Sequence, residues 1–371
     1  VATDTVTFGI PKLALLLQSV MIHKAHLEID DPIYNPKSTY SFIERMFLPF
    51  INDVRDLPFV RLSLLLTLIF PPLAIWLFVD FSWWVASLYL FLNWAIFLGP
   101  FILMLHNTSH RSLFKNKYKR WNNFIVWAVG PFFGETPETY FGHHIAMHHP
   151  ENNLESDLSS TMKYQRDSFR DFMKYFSEFF FIGLIELVYY LRGKNRGAVA
   201  KRVIIGELSF ILLGVALSFV NWRAALVVFW LPLFFSRFMM MAGNWAQHAF
   251  VDAETPDNCY RNSITCINSP YNKKCFNDGY HIGHHVRSSR HWTQMPEDFL
   301  ANLERYAAEE AIVFRKIDFT TVWFFLMLKK YKTLARYYVQ LDESNPKSEE
   351  EIIALLKQRT TRIANRRYVM A

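Results

Sequence analysis

Residues Leu62–Leu105 read LSLLLTLIFPPLAIWLFVDFSWWVASLYLFLNWAIFLGPFILML. The first part, Leu62–Val79, is apolar apart from Ser63 and Thr67, and at ~1.5 Å per residue it reaches roughly 27 Å, enough for a thin bilayer. Pro71 and Pro72 interrupt it; a membrane helix tolerates them, and a kink is expected there. Asp80-Phe81-Ser82 is a turn, and Trp83–Leu105 runs back with Asn93 as its one clearly polar interior residue. Val203–Val220 and Ala224–Met241 repeat the pattern around Asn221-Trp222-Arg223. The reading is an all-α integral membrane protein with four transmembrane helices arranged as two hairpins. Glu207 and Arg237 fall inside the second pair, where a charge either finds a partner or snorkels to the interface.

The rest of the composition agrees with this. Of 371 residues 51% are hydrophobic and 17% aromatic, including 35 Phe and 11 Trp, and they are gathered in blocks. The net charge of +7 suits loops facing anionic headgroups on the cytosolic side. No basic helix, finger or stacking motif supports nucleic-acid binding. Cys259, Cys266 and Cys275 share one polar loop without C-x-x-C spacing, which argues against a zinc ribbon and fits a reducing compartment. The first residue is Val, so a trimmed N-terminus is expected; Ile10–Ile22 is too short to span.

Three regions follow: a cytosolic lead-in over residues 1–58, a membrane and catalytic region over 59–300, and cytosolic C-terminal helices over 301–371. Trp121–Phe133 is apolar but short and broken by Gly130-Pro131, which reads as a half-buried or interfacial helix. Phe172–Leu191 is amphipathic. If it crossed the membrane, the five Lys and Arg of Arg192–Arg202 would face outside, so it is expected to lie on the surface. Ser348 and Glu351 make a capping box ahead of a final helix.

Two hairpins return the ends of the second and fourth spans to one side, where the histidines gather. His106 and His110 leave the second span, and Asn244 and His248 the fourth; each is an i,i+4 pair that shares a helical face. Phe141–Pro150, FGHHIAMHHP, supplies His144, His148 and His149, and DGYHIGHH supplies His281, His284 and His285. On an α-helix His144 and His148 share a face and His149 lies about 100° further round, so the pair is expected at one metal and His149 at another. A cytosolic helical cap would hold the site. Nine imidazoles are too many for one ion and suffice for two, and imidazole alone does not choose among iron, zinc, copper and nickel. No H-E-x-x-H occurs, against a zinc hydrolase.

His106-x3-His110, His144-x3-His148-His149 and His281-x2-His284-His285, in this order after helical hairpins, resemble the three histidine boxes of the membrane-bound fatty acid desaturase and hydroxylase superfamily. Asn244-x3-His248 resembles the added ligand pair of its stearoyl-CoA-desaturase-like members. The resemblance spans about Leu62 to Pro296. It implies two iron ions held by those nine histidines, with Asn244 a weaker or water-mediated ligand. O2 would be the co-substrate, and an unactivated C–H bond of a fatty acyl or related lipid would be oxidised, most often to a double bond. Hydroxylase, acetylenase and carotenoid-oxygenase chemistry share the ligands. All-imidazole ligation also implies acids that orient the rings, for which Asp157, Asp278 and Glu138 are candidates.

Other features complete the expectation. No His-Pro-Gly-Gly haem signature is present, so a separate electron donor of the cytochrome b5 or ferredoxin type is expected. The compartment would be the endoplasmic reticulum in a eukaryote and the inner membrane in a bacterium, with the site and both termini cytosolic. Trp83, Trp84, Trp94, Trp230 and Trp245 are candidates to line a substrate tunnel. His143 competes with His144 by a one-residue slip, His291 reads as a hydrogen-bonding neighbour, and His23 and His26 as surface residues. The third box is followed by Val286-Arg-Ser-Ser where the family commonly has Pro two residues on. A metal transporter or receptor is the rival from another class, and it would need polar residues along the spans.

Overall fold

The computed structural model describes residues 27–342 and 344–363; Ile10–Ile22, His23 and His26 lie outside the described residues. Among them, four helices are long and apolar enough to cross a membrane: Val54–Val79, Trp83–His110, Gly197–Val220 and Trp222–Gln247. Their 24 to 28 residues correspond to roughly 36–42 Å at ~1.5 Å per residue, beyond a ~30 Å hydrocarbon core. The surplus turns of the second and fourth spans carry their histidines clear of the apolar interior. Pro71 and Pro72 are taken up within a continuous first helix. At the opposite end the two hairpin turns meet, where Asn221 caps the fourth span through Ala224 and reaches the Leu77 carbonyl at 3.4 Å.

The segment between the second and third spans, expected over Trp121–Phe133 as a half-buried or interfacial helix, is half-buried, and its winding is irregular. Ile125–Val129 is wound as a π turn and Gly130–Phe133 as a tighter one, and together they dip between the spans. Phe133 is fully buried, stacked on Phe101 at 4.3 Å and edge-on to Phe70 at 4.7 Å. Irregular backbone at this depth needs partners, because no water is there to bond it. Tyr89 and Asn93 of the second span donate to the Phe132 carbonyl at 3.0 and 2.8 Å, and Ser236 of the fourth donates to that of Phe133. Asn93, the polar residue in an apolar span, is there to hold this dip. Gly134 sits at φ +71° against the backbone of Leu233, where a β-carbon would lie 2.1 Å from the Leu233 nitrogen.

Phe172–Leu191 does not cross. It divides at Ile182 into Phe169–Phe181 and Gly183–Gly193, each too short to span. The first packs Phe172 and Phe176 against Phe238 of the fourth span. The second buries Leu187 and Leu191 with Met147, beneath the second histidine box.

Among the described residues the cap is helical except for two short parallel strands, β1 (Ile264–Ile267) and β2 (Ile312–Arg315), with Ile264 opposite Ile312. Both are short runs rich in β-branched residues, and β1 is buried on both faces. The final helix Glu349–Arg359 begins with the Ser348–Glu351 capping box. Arg166 ties this tail in: its buried guanidinium donates to the carbonyls of Ala249, Arg359 and Thr361 at 2.9, 3.0 and 2.7 Å.

Candidate metal centre

The second histidine box sits on a π-wound turn, Phe141–His148. The His149 N–H bonds the carbonyl of His144, five residues back. Pro150 has no N–H with which to close an α turn onto Ala146, and that carbonyl takes a bond from Arg196 instead. With i→i+5 winding, His149 comes a little over one full turn on from His144. The expected sharing of the box is therefore corrected: His144 and His149 face one centre, and His148 faces the other.

Nine imidazoles converge in two groups. His106, His110, His144, His149 and His284 form one, and His148, His248, His281 and His285 the other, each with its ligand atoms within 4.8 Å of one another. In the first group the Nε2 atoms of His106 and His284 lie 2.9 Å apart, His284 and His149 3.0 Å, His149 and His144 3.1 Å, His144 and His110 3.3 Å. In the second, His281 Nε2 lies 3.2 Å from that of His248 and 3.0 Å from that of His285. The groups adjoin, with the His148 and His149 rings 5.9 Å apart.

These spacings test whether the residues fit a metal. A neutral imidazole nitrogen carries either a proton or a lone pair, so five such atoms crowded on one point cannot all be satisfied by each other. Ligand nitrogens ~2.1 Å from an ion and about 90° apart lie about 3 Å from one another, which matches. The protonation state also suits a ligand. Burial, reinforced by the neighbouring histidines, pushes His144, His281, His284 and His285 well below the usual imidazole range. Burial likewise brings His248 down to about 4. The residues fit a metal site with two centres.

The opposite ring nitrogens are held in part. His148 Nδ1 donates to Asp157 at 2.7 Å, and His248 Nδ1 to the Asn262 carbonyl at 2.9 Å. His106 Nδ1 lies 3.4 Å from Asp278. Asn262 carried no local signal in the sequence; it enters through a bond to Asn153 at 2.9 Å, across the second-box loop. Glu138 is directed elsewhere. It accepts from Trp127 Nε1 at 3.1 Å and lies 3.5 Å from Arg202, because at φ +68° its backbone turns it away from the box.

Asn244 donates both amide hydrogens, to Ser159 O at 3.1 Å and Tyr175 Oη at 2.7 Å, which leaves only its oxygen for a metal or a water. His143 belongs to neither group; its ring is edge-on to Phe179 at 5.4 Å. His291 bonds Asp56 at 2.9 Å, beside Asp53, whose carboxylate is occupied by Arg55 and Arg111.

A cavity of about 350 Å³ opens from the histidines between the second and fourth spans. Trp94 lines it, stacked on Phe235 at 4.4 Å. The other four tryptophans are placed otherwise: Trp83 and Trp84 are exposed on the outer surface, Trp230 bonds Ser218, and Trp245 is fully buried against Phe172. Glu207 and Arg237 form an ion pair with contacts of 2.8 and 2.9 Å beside this cavity.

The chain matches the family model "Fatty acid desaturase" over residues 81–317. Neither the curated proteins nor the solved structures compared with it give a match. The matched stretch covers more than half of the chain and contains all nine clustered histidines, so the chain belongs to the fatty acid desaturase family of membrane-bound oxidoreductases.

Proposed function

We propose that this protein catalyses O2-dependent oxidation of an unactivated C–H bond in a fatty acyl lipid, introducing a double bond. The observation that carries the reading is the pair of imidazole groups opening on a largely apolar cavity. His106, His110, His144, His149 and His284 would hold one iron, and His148, His248, His281 and His285 the other, with Asn244 reaching the second through a water. Bound iron would supply the oxidising power to break the C–H bond.

The chain's own residues do the remaining work. Asp157 and Asn262 orient the rings of His148 and His248. Leu98, Ile102 and Met239 surround the acyl chain and exclude water, and His106, His144, His148 and His281 border the same cavity, so one stretch of chain is brought to the centre. Electrons would come from a separate donor of the cytochrome b5 or ferredoxin type. The cap would face the cytosol, in the endoplasmic reticulum of a eukaryote or the inner membrane of a bacterium.

Purified protein should contain about two irons per chain. His148→Ala should lose iron from the second group and abolish product formation. Mass spectrometry of products from acyl-CoA, phospholipid and free acid would identify the substrate. Protein loaded with iron and supplied with reductant that oxidises none of them overturns the proposal, and an alcohol in place of an alkene corrects the outcome of the reaction.

A further inference from the structure

The cavity wall is apolar along Trp94, Leu98 and Ile102 on one side and Phe235 and Met239 on the other, yet Glu135, Thr139 and Arg237 break it at one place. An ionisable residue at membrane depth is costly and marks a ligand path more often than packing. Arg237 uses a single nitrogen, Nη2, for Glu207 at 2.8 and 2.9 Å and for Thr136 Oγ1 at 3.2 Å. Its Nε and Nη1 hydrogens have no acceptor among the described residues. Thr139 Oγ1 donates to Glu207 at 3.2 Å, so Glu207 fixes both. Glu135 is 5% exposed, and its carboxyl faces the Tyr140 backbone N–H.

Charge narrows what this patch takes. Arg237 and Glu207 cancel. Burial lifts the Glu135 carboxyl to about 8 against the pull of Arg237, so it is protonated at neutral pH and adds a donor. The patch is neutral, and its free donors among the described residues are the Glu135 hydroxyl and the Arg237 Nε and Nη1 hydrogens; the Thr139 hydroxyl is spent on Glu207 and keeps that carboxylate on its own side of the patch. A carbonyl oxygen satisfies it, whereas an anionic group would bring an uncompensated charge into a buried wall. Arg237 precedes Asn244 by seven residues on the fourth span, two turns or about 10 Å. An extended chain advances roughly 1.2 Å per bond, so that distance is roughly eight or nine bonds.

We propose that Glu135 and Arg237, the latter positioned through Glu207 and Thr139, form a carbonyl-binding subsite that takes a neutral acyl ester or amide about two helical turns from the metal centre. It fixes the oxidised carbon by counting from the carbonyl end. This rests on the lipid-oxidising reading above and specifies its substrate class.

Two arms test it. Binding is measured under anaerobic conditions without reductant, by displacement of a fluorescent fatty amide with octadecanamide, methyl octadecanoate, octadecanoate or octadecane. The amide and ester should outcompete octadecane and octadecanoate by on the order of tenfold, the worth of one or two hydrogen bonds. Glu135→Ala should erase that ranking and Glu135→Gln should restore it. Thr139→Val should weaken it, and supplies the comparison if Glu135→Ala does not fold. Turnover with methyl tetradecanoate, hexadecanoate and octadecanoate forms the second arm, and the new double bond should keep its distance from the carbonyl. An unchanged ranking in Glu135→Ala and Thr139→Val, or a bond position that follows the methyl end, overturns the subsite. Retained ranking with no product from any ester supports the subsite and overturns the oxidative reading instead.

Discussion

Replacing Asp157 by asparagine strikes at how the second group of histidines is held. Four donors surround its carboxylate: His148 Nδ1 at 2.7 Å and the Asn153 N–H at 2.8 Å on Oδ2, and the Ser159 N–H at 2.8 Å and hydroxyl at 2.7 Å on Oδ1. Burial alone would raise its pKa, but the bonds from His148 and Ser159 work against it and hold the group below the usual carboxylate range. As an acceptor on every side, it keeps the His148 proton on Nδ1 and leaves the Nε2 lone pair for a metal. Asparagine has the same shape with one donor end. Turned toward Ser159, its NH2 meets a backbone N–H. Turned toward His148, it meets the Asn153 N–H and drives the His148 proton onto Nε2, the ligating atom.

Either orientation loses charge-assisted bonds worth about 1.5–3 kcal/mol each before relaxation. An outer partner of a ligating histidine is typically worth 10–100-fold in metal affinity, taken here as an order of magnitude. The assay is metal retained per chain after dialysis against graded chelator, alongside thermal unfolding in the same detergent. Asp157→Asn should release metal at a chelator concentration at least roughly tenfold lower than wild type, and Asp278→Asn should change less, since its contact with His106 is 3.4 Å. Wild-type retention in Asp157→Asn would refute the argument that this carboxylate sets the tautomer.

Gly243 borders the cavity next to Asn244, and a β-carbon there would meet nothing within 4 Å. Gly243→Leu should therefore fold and load metal, gain up to about 1 kcal/mol in helix propensity, and raise KM for long acyl chains; an unchanged KM would show that substrate does not pass there. Arg237→Met should cost about 3–5 kcal/mol by stranding Glu207, while the double change Glu207→Leu/Arg237→Met recovers most of it in a detergent melt. The Glu135 carboxyl gives a pH signature. Its folded pKa of about 8 lies above the ordinary 4.5, so burial of the neutral form contributes stability that is full below about 4.5 and lost as pH rises toward 8. The melting temperature of Glu135→Gln relative to wild type should rise across that window; a flat difference would mean that Glu135 is ionised in the fold.

What could be read directly from the residues was whatever regular α-helix carries. His106/His110 and His281/His285 each share a metal group because a straight helix brings i and i+4 together. For Glu207 and Arg237 the sequence offered pairing or a reach to the interface, and the structure pairs them. The second box failed this arithmetic. Its local sequence is helical, but the winding is decided by Pro150 and by a guanidinium forty-six residues on from it, which takes the Ala146 carbonyl. Pro150 was the one visible warning, since it had no N–H to give Ala146.

The same logic explains the dip over Ile125–Phe133, for which the residues left a half-buried and an interfacial helix both open. A short apolar segment with Gly and Pro cannot satisfy its own carbonyls, so taken alone it belongs at a wet interface. Asn93, Tyr89 and Ser236 supply the missing donors from two different spans, and only then can the segment sit deep. That depth matters for chemistry, because the chain leaving the dip is Gly134–Tyr140, which delivers Glu135 and Thr139 to the cavity wall before entering the second box. Asn93→Leu should thus do more than remove a bond. It removes one of the two bonds to the Phe132 carbonyl, the one from Tyr89 remaining, at a cost of about 0.5–1.5 kcal/mol, and it loosens the segment that positions both the wall and the histidines, so metal retention should fall together with stability. Loss of stability with wild-type metal retention would separate the two and show that the box holds its shape without the dip.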